Sequence, residues 1–125
     1  GFVLGVLQFM FDGGFAIDWQ SIIGDYVLAF TVVGLAGVFT GKKWSVFAGT
    51  ILGSAARFLV HYVVGATIWA DTMPEALWGI PMSSPWFYSL LYNGFYMVID
   101  MVLCLAVFAA LSKPLAKYYM GADLK

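Results

Sequence analysis

Apolar residues run along this chain in four blocks separated by short polar or turn-rich stretches. Residues 1–11 (GFVLGVLQFMF) form a block too short to cross a bilayer alone, since a spanning helix needs about 20 apolar residues. This block reads as the end of a helix. The stretch FDGGFAIDWQ follows, and its Asp12, Gly13, Gly14 and Asp18 carry turn chemistry. A second block covers 20–39 and stops at TGKK (40–43). The third runs from Trp44 to about Trp69, and the fourth from Trp86 to Leu111, with Pro114 just beyond it. Between the last two lies ADTMPEALWGIPMSSP (70–85), a loop holding Pro74, Pro81 and Pro85 with Asp71 and Glu75. The pattern predicts an all-α, polytopic transmembrane bundle of three full spans and a partial one, in a single domain over 1–125. No internal repeat, low-complexity tract or linker interrupts it.

Composition agrees with a membrane protein. The chain is 62% hydrophobic and 10% charged, against about 25% charged for a soluble domain, and its mean hydropathy is +0.90. The net charge is −1 and the basic residues are scattered, so no nucleic-acid surface is expected. Cys104, the single cysteine, lies in an apolar run and offers neither a disulfide framework nor a metal site. One histidine is too few for a typical metal centre. No nucleophile stands beside a general base, and no GxxxxGK[ST] phosphate loop occurs, so neither catalysis nor ATP hydrolysis is expected of this chain. It begins without Met inside an apolar stretch and without a basic segment before it, which reads as the C-terminal part of a longer protein with no signal peptide of its own.

Charge asymmetry gives an orientation. Lys42 and Lys43 share one short loop, and Lys113, Lys117 and Lys125 follow the last span, while the loops at 12–18 and 70–85 carry only acids. The positive-inside rule places the lysine-bearing ends, including the C-terminus, in the cytoplasm and the acidic loops outside.

The spans themselves carry polar residues. At 1.5 Å rise per residue from the cytoplasmic ends, Arg57 and Asp100 lie about 20 Å up, Asp25 and His61 about 25 Å, Asn93 about 30 Å, and Tyr88 and Trp69 about 37 Å. Arg57 and Asp100 thus share mid-membrane depth, and the other five share the outer half. An acid, an imidazole, an amide and several aromatic rings near one mouth suit an organic cation with a ring. Each residue also has a structural reading. His61 could be bonded to a neighbouring helix, and Trp69, Trp86 and Tyr88 could be interfacial belt residues. Arg57 and Asp100 would neutralise each other below the ligand, because an unpaired charge at that depth is costly. The GxxxG pairs Gly1/Gly5 and Gly49/Gly53 point to close packing inside the fold. The ladder Tyr88, Tyr92, Tyr96 at helical spacing would be partly core and partly site.

Three segments carry a resemblance: GDYVLAFTVVGLAGVF (24–39), RFLVHYVVGATIW (57–69) and FYSLLYNG (87–94). In order and at these spacings they resemble the last helices of the thiamine-binding S component of energy-coupling factor (ECF) importers, the ThiT family. The combination is an acid–Tyr pair opening one span, a basic residue four before His and Trp eight after it, then Tyr and Asn five apart. The resemblance implies a six-helix fold of which this chain holds the last part. It implies thiamine as ligand, with no cofactor. Asp25 stands where the family has its acid, which can be Glu, and would bond the aminopyrimidine. Tyr26 would offer a hydroxyl, His61 and Trp69 would line the ring-stacking part, and Tyr88 and Asn93 would complete the polar contacts. A further aromatic from the preceding loop would be Phe15 or Trp19. The family further implies a bacterial plasma-membrane location and partners in the transmembrane coupling protein EcfT and two cytoplasmic ATPases.

The residues alone leave other functions open. These are an S component for another vitamin, a secondary transporter moving protons through Asp25 or His61, and an intramembrane enzyme using the same two groups as acid and base.

Overall fold

The computed structural model describes residues 1–39, 42 and 44–119. Lys43 and Lys125, two of the lysines behind the expected orientation, lie outside the described residues. Helix α1 spans Phe2–Phe11 and ends where Gly13 and Gly14 adopt φ of 69° and 72°, a left-handed path open to glycine at little cost. Asp18 then caps the next helix. Its carboxylate accepts from the Ser21 backbone N–H at 2.7 Å, and the fully buried Ser21 hydroxyl accepts from the Asp18 N–H in return. This reciprocal box starts α2, Trp19–Val38.

The winding of α2 changes along its length. After one α turn it widens into a π-helical stretch at Ile22–Leu28, returns to α at Ala29–Thr31 and tightens to 3-10 at Val32–Val38. Wide π turns are uncommon and concentrate at functional sites. Here the wide turn holds Asp25 and Tyr26.

Helix α3 is Ser45–Thr67 and α4 is Pro85–Ala110. Ser84 caps α4, accepting from the Phe87 N–H at 3.2 Å, and Pro85 sits where its missing N–H costs nothing. A short α5, Ala116–Tyr119, follows. α2, α3 and α4 are each long and apolar enough to cross a membrane, and their ends lie within two residues of the expected spans. The 70–85 segment, read as a plain loop, contains a 3-10 turn at Ala70–Thr72 and a two-stranded hairpin, β1 Ala76–Leu77 with β2 Ile80–Pro81. Its two-residue turn needs φ > 0 twice, and Trp78 (52°) and Gly79 (82°) supply it. Trp78 then lies against Phe95 of α4, ring centres 4.7 Å apart.

α3 is the centre of the bundle, packed against α4 and α2, with α1 against α2. Both GxxxG pairs close onto α2. A Cβ at Gly5 would run into the Tyr26 carbonyl, and one at Gly49 into the Ala36 carbonyl. The apolar core is small: Tyr26, Ala29 and Phe30, with Phe9 and Val60 against it. Large apolar side chains such as Leu59, Val63, Val98, Val102 and Leu103 face outward, as they do where lipid is the solvent. The buried interior instead holds polar groups, His61, Ser89 and Asn93 among them.

Candidate functional site

The π turn of α2 carries Asp25 toward α3, and two side chains, one on α3 and one in the turn just past its end, meet its carboxylate. His61 Nδ1 lies 2.8 Å from Oδ1, and the Trp69 indole N–H donates to Oδ2 at 2.7 Å. His61 and Trp69 are eight residues apart, about two helical turns, so both project from one face. Each carboxylate oxygen therefore has one protein partner and a lone pair to spare.

Arg57, one turn below His61 on α3, turns its Nε to His61 Nε2 at 3.4 Å. Its Nη1 reaches Asp100 Oδ2 at 3.5 Å, and its guanidinium lies over the Phe30 ring, 4.3 Å from the centre. On the α4 side, the Asn93 amide donates to Ser89 Oγ at 2.9 Å and to the His61 carbonyl at 3.3 Å. The Ser89 hydroxyl donates to the Tyr62 carbonyl at 2.8 Å. Ser89 and Asn93 are buried and one turn apart, so together they pin α4 to the backbone of α3 beside the imidazole. Gly65 lies against both side chains and leaves them the room.

Asp25, His61, Trp69, Ser89 and Asn93 line a cavity of about 500 Å³, a size suited to a small organic molecule. Arg57, Phe30 and Tyr96 also line it, and Phe15 and Thr72 bring it to the end of the bundle that bears the acidic loops. Phe15 and Trp69 stack there, centres 5.6 Å apart and planes 16° off parallel. Tyr26 holds that loop in place by donating its hydroxyl to the Phe15 carbonyl at 2.9 Å. Along α4, Tyr88 stacks on Tyr92 at 5.6 Å, and Tyr92 meets Tyr96 edge-on at 5.9 Å. The oriented Asp25 carboxylate amid aromatic faces can take a flat organic cation, holding the charge by Coulomb attraction and the ring by cation–π contact. Among the described residues no group of three or more His, Cys, Asp or Glu stands together to hold a metal.

All six residues expected at the site, Asp25, Tyr26, His61, Trp69, Tyr88 and Asn93, line this one cavity. Tyr26, His61 and Asn93 are the buried ones, each with a polar group already bonded within the protein. Phe15, not Trp19, is the loop aromatic at the cavity; Trp19 is 67% exposed. One expectation is corrected. Arg57 and Asp100 do face each other, but Arg57 lines the cavity instead of lying below it, and the Asp100 side chain is 52% exposed. The two depth layers are joined because an arginine side chain spans about one helical turn, enough to reach His61. Ser89, Phe30, Gln8 and Asp12 also line the cavity and were not expected at the site, Asp12 having been read as a turn residue. Ser89, four residues before Asn93, had a signal in that spacing.

A family profile described as Thiamine transporter protein (Thia_YuaJ) matches residues 1–120. Thiamine transporter ThiT of Lacticaseibacillus paracasei is 28% identical over 141 aligned positions, covering all of this chain and 67% of that protein. Thiamine transporter ThiT of Bacillus subtilis is 30% identical over 124 positions, covering 89% of this chain and 62% of that protein. A solved structure of ThiT from Listeria monocytogenes superposes with a TM-score of 0.77 at 20% identity, over 92% of this chain and 67% of that one. The last match bears on the fold. The chain spans about two thirds of the length of these relatives.

Proposed function

The chain belongs to the thiamine transporter protein family Thia_YuaJ, and on that premise we propose that its cavity binds thiamine, as part of a membrane-embedded S component that captures the vitamin from outside for ATP-driven uptake. The observation that carries this reading is Asp25, held by His61 and Trp69 at the wall of an aromatic cavity. Thiamine combines a permanently positive thiazolium with a flat aminopyrimidine. The carboxylate answers the charge and accepts from the amino group, and Trp69, Phe15, Tyr88 and His61 offer ring faces. An aromatic face attracts such a cation by roughly 0.5 to 2 kcal/mol.

Residues 1–125 form a single multi-pass membrane domain in this reading, with the acidic 12–18 and 70–85 loops outside and the C-terminus in the cytoplasm, as the lysine distribution favours. The work is binding and transport, not catalysis. Relatives of this chain are named transporters, and with no ATP-binding loop in the sequence the energy for uptake comes from partners, the coupling protein EcfT and two cytoplasmic ATPases. The test is to purify the full-length protein and ask whether thiamine travels with it and quenches its tryptophan fluorescence. Quenching that saturates with thiamine supports the reading; a protein that neither retains nor responds to thiamine overturns it.

A further inference from the structure

A cavity built to receive a cation has no direct use for a fixed positive charge on its wall, yet Arg57 is there. Its pairing with Asp100 is a single 3.5 Å contact through Nη1, without the two-pronged geometry of a strong arginine–carboxylate pair. Its Nε points elsewhere, to His61. We propose that Arg57 is a positioning residue: it fixes the tautomer of His61, and through it the orientation of the Asp25 carboxylate that receives the ligand.

The argument follows from which atoms can donate. Arginine Nε–H donates and never accepts. His61 Nε2, 3.4 Å away, is therefore the acceptor and carries no proton. The ring's one proton sits on Nδ1 and is donated to Asp25 Oδ1 at 2.8 Å. A free histidine side chain in water favours the opposite, Nε2–H form, so the protein has to impose this one. Moving the proton to Nε2 would set it against Arg57 N–H and would turn the Nδ1 lone pair on a carboxylate oxygen. Both contacts would repel, and Asp25 would swing away from Trp69. The same geometry gives Asp100 a purpose. It balances the guanidinium, so the donor is present on the wall while Asp25 keeps its pull on a cation. Phe30 packs beneath the guanidinium, 4.3 Å from its ring centre.

This role rests on reading the cavity as a thiamine site, but its first readout needs no ligand. Full-length protein labelled with ¹⁵N-histidine, ligand-free, reports which ring nitrogen is protonated, and His61→Asn identifies the signal. The wild type is expected to show neutral His61 protonated on Nδ1. Arg57→Lys keeps the charge and removes the directed Nε–H, and Arg57→Gln serves if the lysine variant does not fold. Either is expected to shift His61 toward the Nε2–H form and to weaken thiamine binding by about tenfold, the cost of one misaligned charge-assisted hydrogen bond. An Nε2–H or doubly protonated His61 in the wild type overturns the proposal, with no variant needed. So does an unchanged tautomer in the variant, or a shifted tautomer with unchanged thiamine affinity. Failure of the wild-type protein to bind thiamine would instead count against the proposed function, leaving the tautomer result to stand by itself.

Discussion

Asp25 and Trp69, 44 positions apart in the chain, meet through a 2.7 Å hydrogen bond from the indole N–H to carboxylate Oδ2. Trp69, just past the end of α3, thus does more than mark the membrane interface. It braces the acid from one side while His61 braces it from the other, and its ring still faces Phe15.

That bond can be removed without the ring. Trp69→Phe keeps an aromatic face for Phe15 but loses the donor, so Asp25 is freed on one side. Thiamine affinity should fall by about 1 kcal/mol, roughly fivefold. Isothermal titration on the full-length variant measures it, and an affinity equal to wild type would mean that the indole N–H does not help to place the acid.

The helix contacts at glycine are a prediction about folding alone. Gly5→Val would drive a side chain into the Tyr26 carbonyl, and Gly49→Val into the Ala36 carbonyl. Backbone cannot yield as a flexible side chain does, so each should cost at least about 1 to 3 kcal/mol, the usual cost of overpacking. Thermal unfolding in detergent reads this out, and a melting temperature at or above wild type would show that these helices do not pack so closely. Gly34→Ala, where a Cβ meets nothing within 4 Å, is the control expected to be mild.

Arg57 and Asp100 should prove coupled. Each charge alone is costly within the span, so Asp100→Ala should destabilise more than Asp100→Ala combined with Arg57→Met. A thermal double-mutant cycle that comes out additive would show that the 3.5 Å contact has no energetic weight.

The three spans are legible in the sequence because lipid demands long apolar runs, and TGKK, the prolines of 70–85 and Pro114 punctuate them. The relative depths of His61, Tyr88 and Asn93 follow from the constant rise of α3 and α4. Asp25 instead sits on α2, whose changing winding makes a constant rise only approximate there. Depth says nothing about direction, however. Arg57 and His61, four apart on one helix, are neighbours by spacing, but spacing does not say that the guanidinium divides its donors between His61 and Asp100. The π winding at Ile22–Leu28 has no sequence signature of its own; it holds Asp25, bonded to His61 and Trp69, and Tyr26, bonded to Phe15. The 76–81 hairpin was hidden because Trp-Gly is an unusual pair for a turn with two positive φ angles, where Asn-Gly or Asp-Gly is the common choice.

The most direct test of the account is thiamine titration of full-length protein, wild type against Asp25→Asn. The substitution keeps the shape of the side chain and removes its charge, so a charge-assisted hydrogen bond worth about 1.5 to 3 kcal/mol is lost and thiamine should bind roughly ten- to a hundredfold more weakly. Equal affinity in the two proteins would contradict the account, because the carboxylate between His61 and Trp69 would then not be what receives the cation.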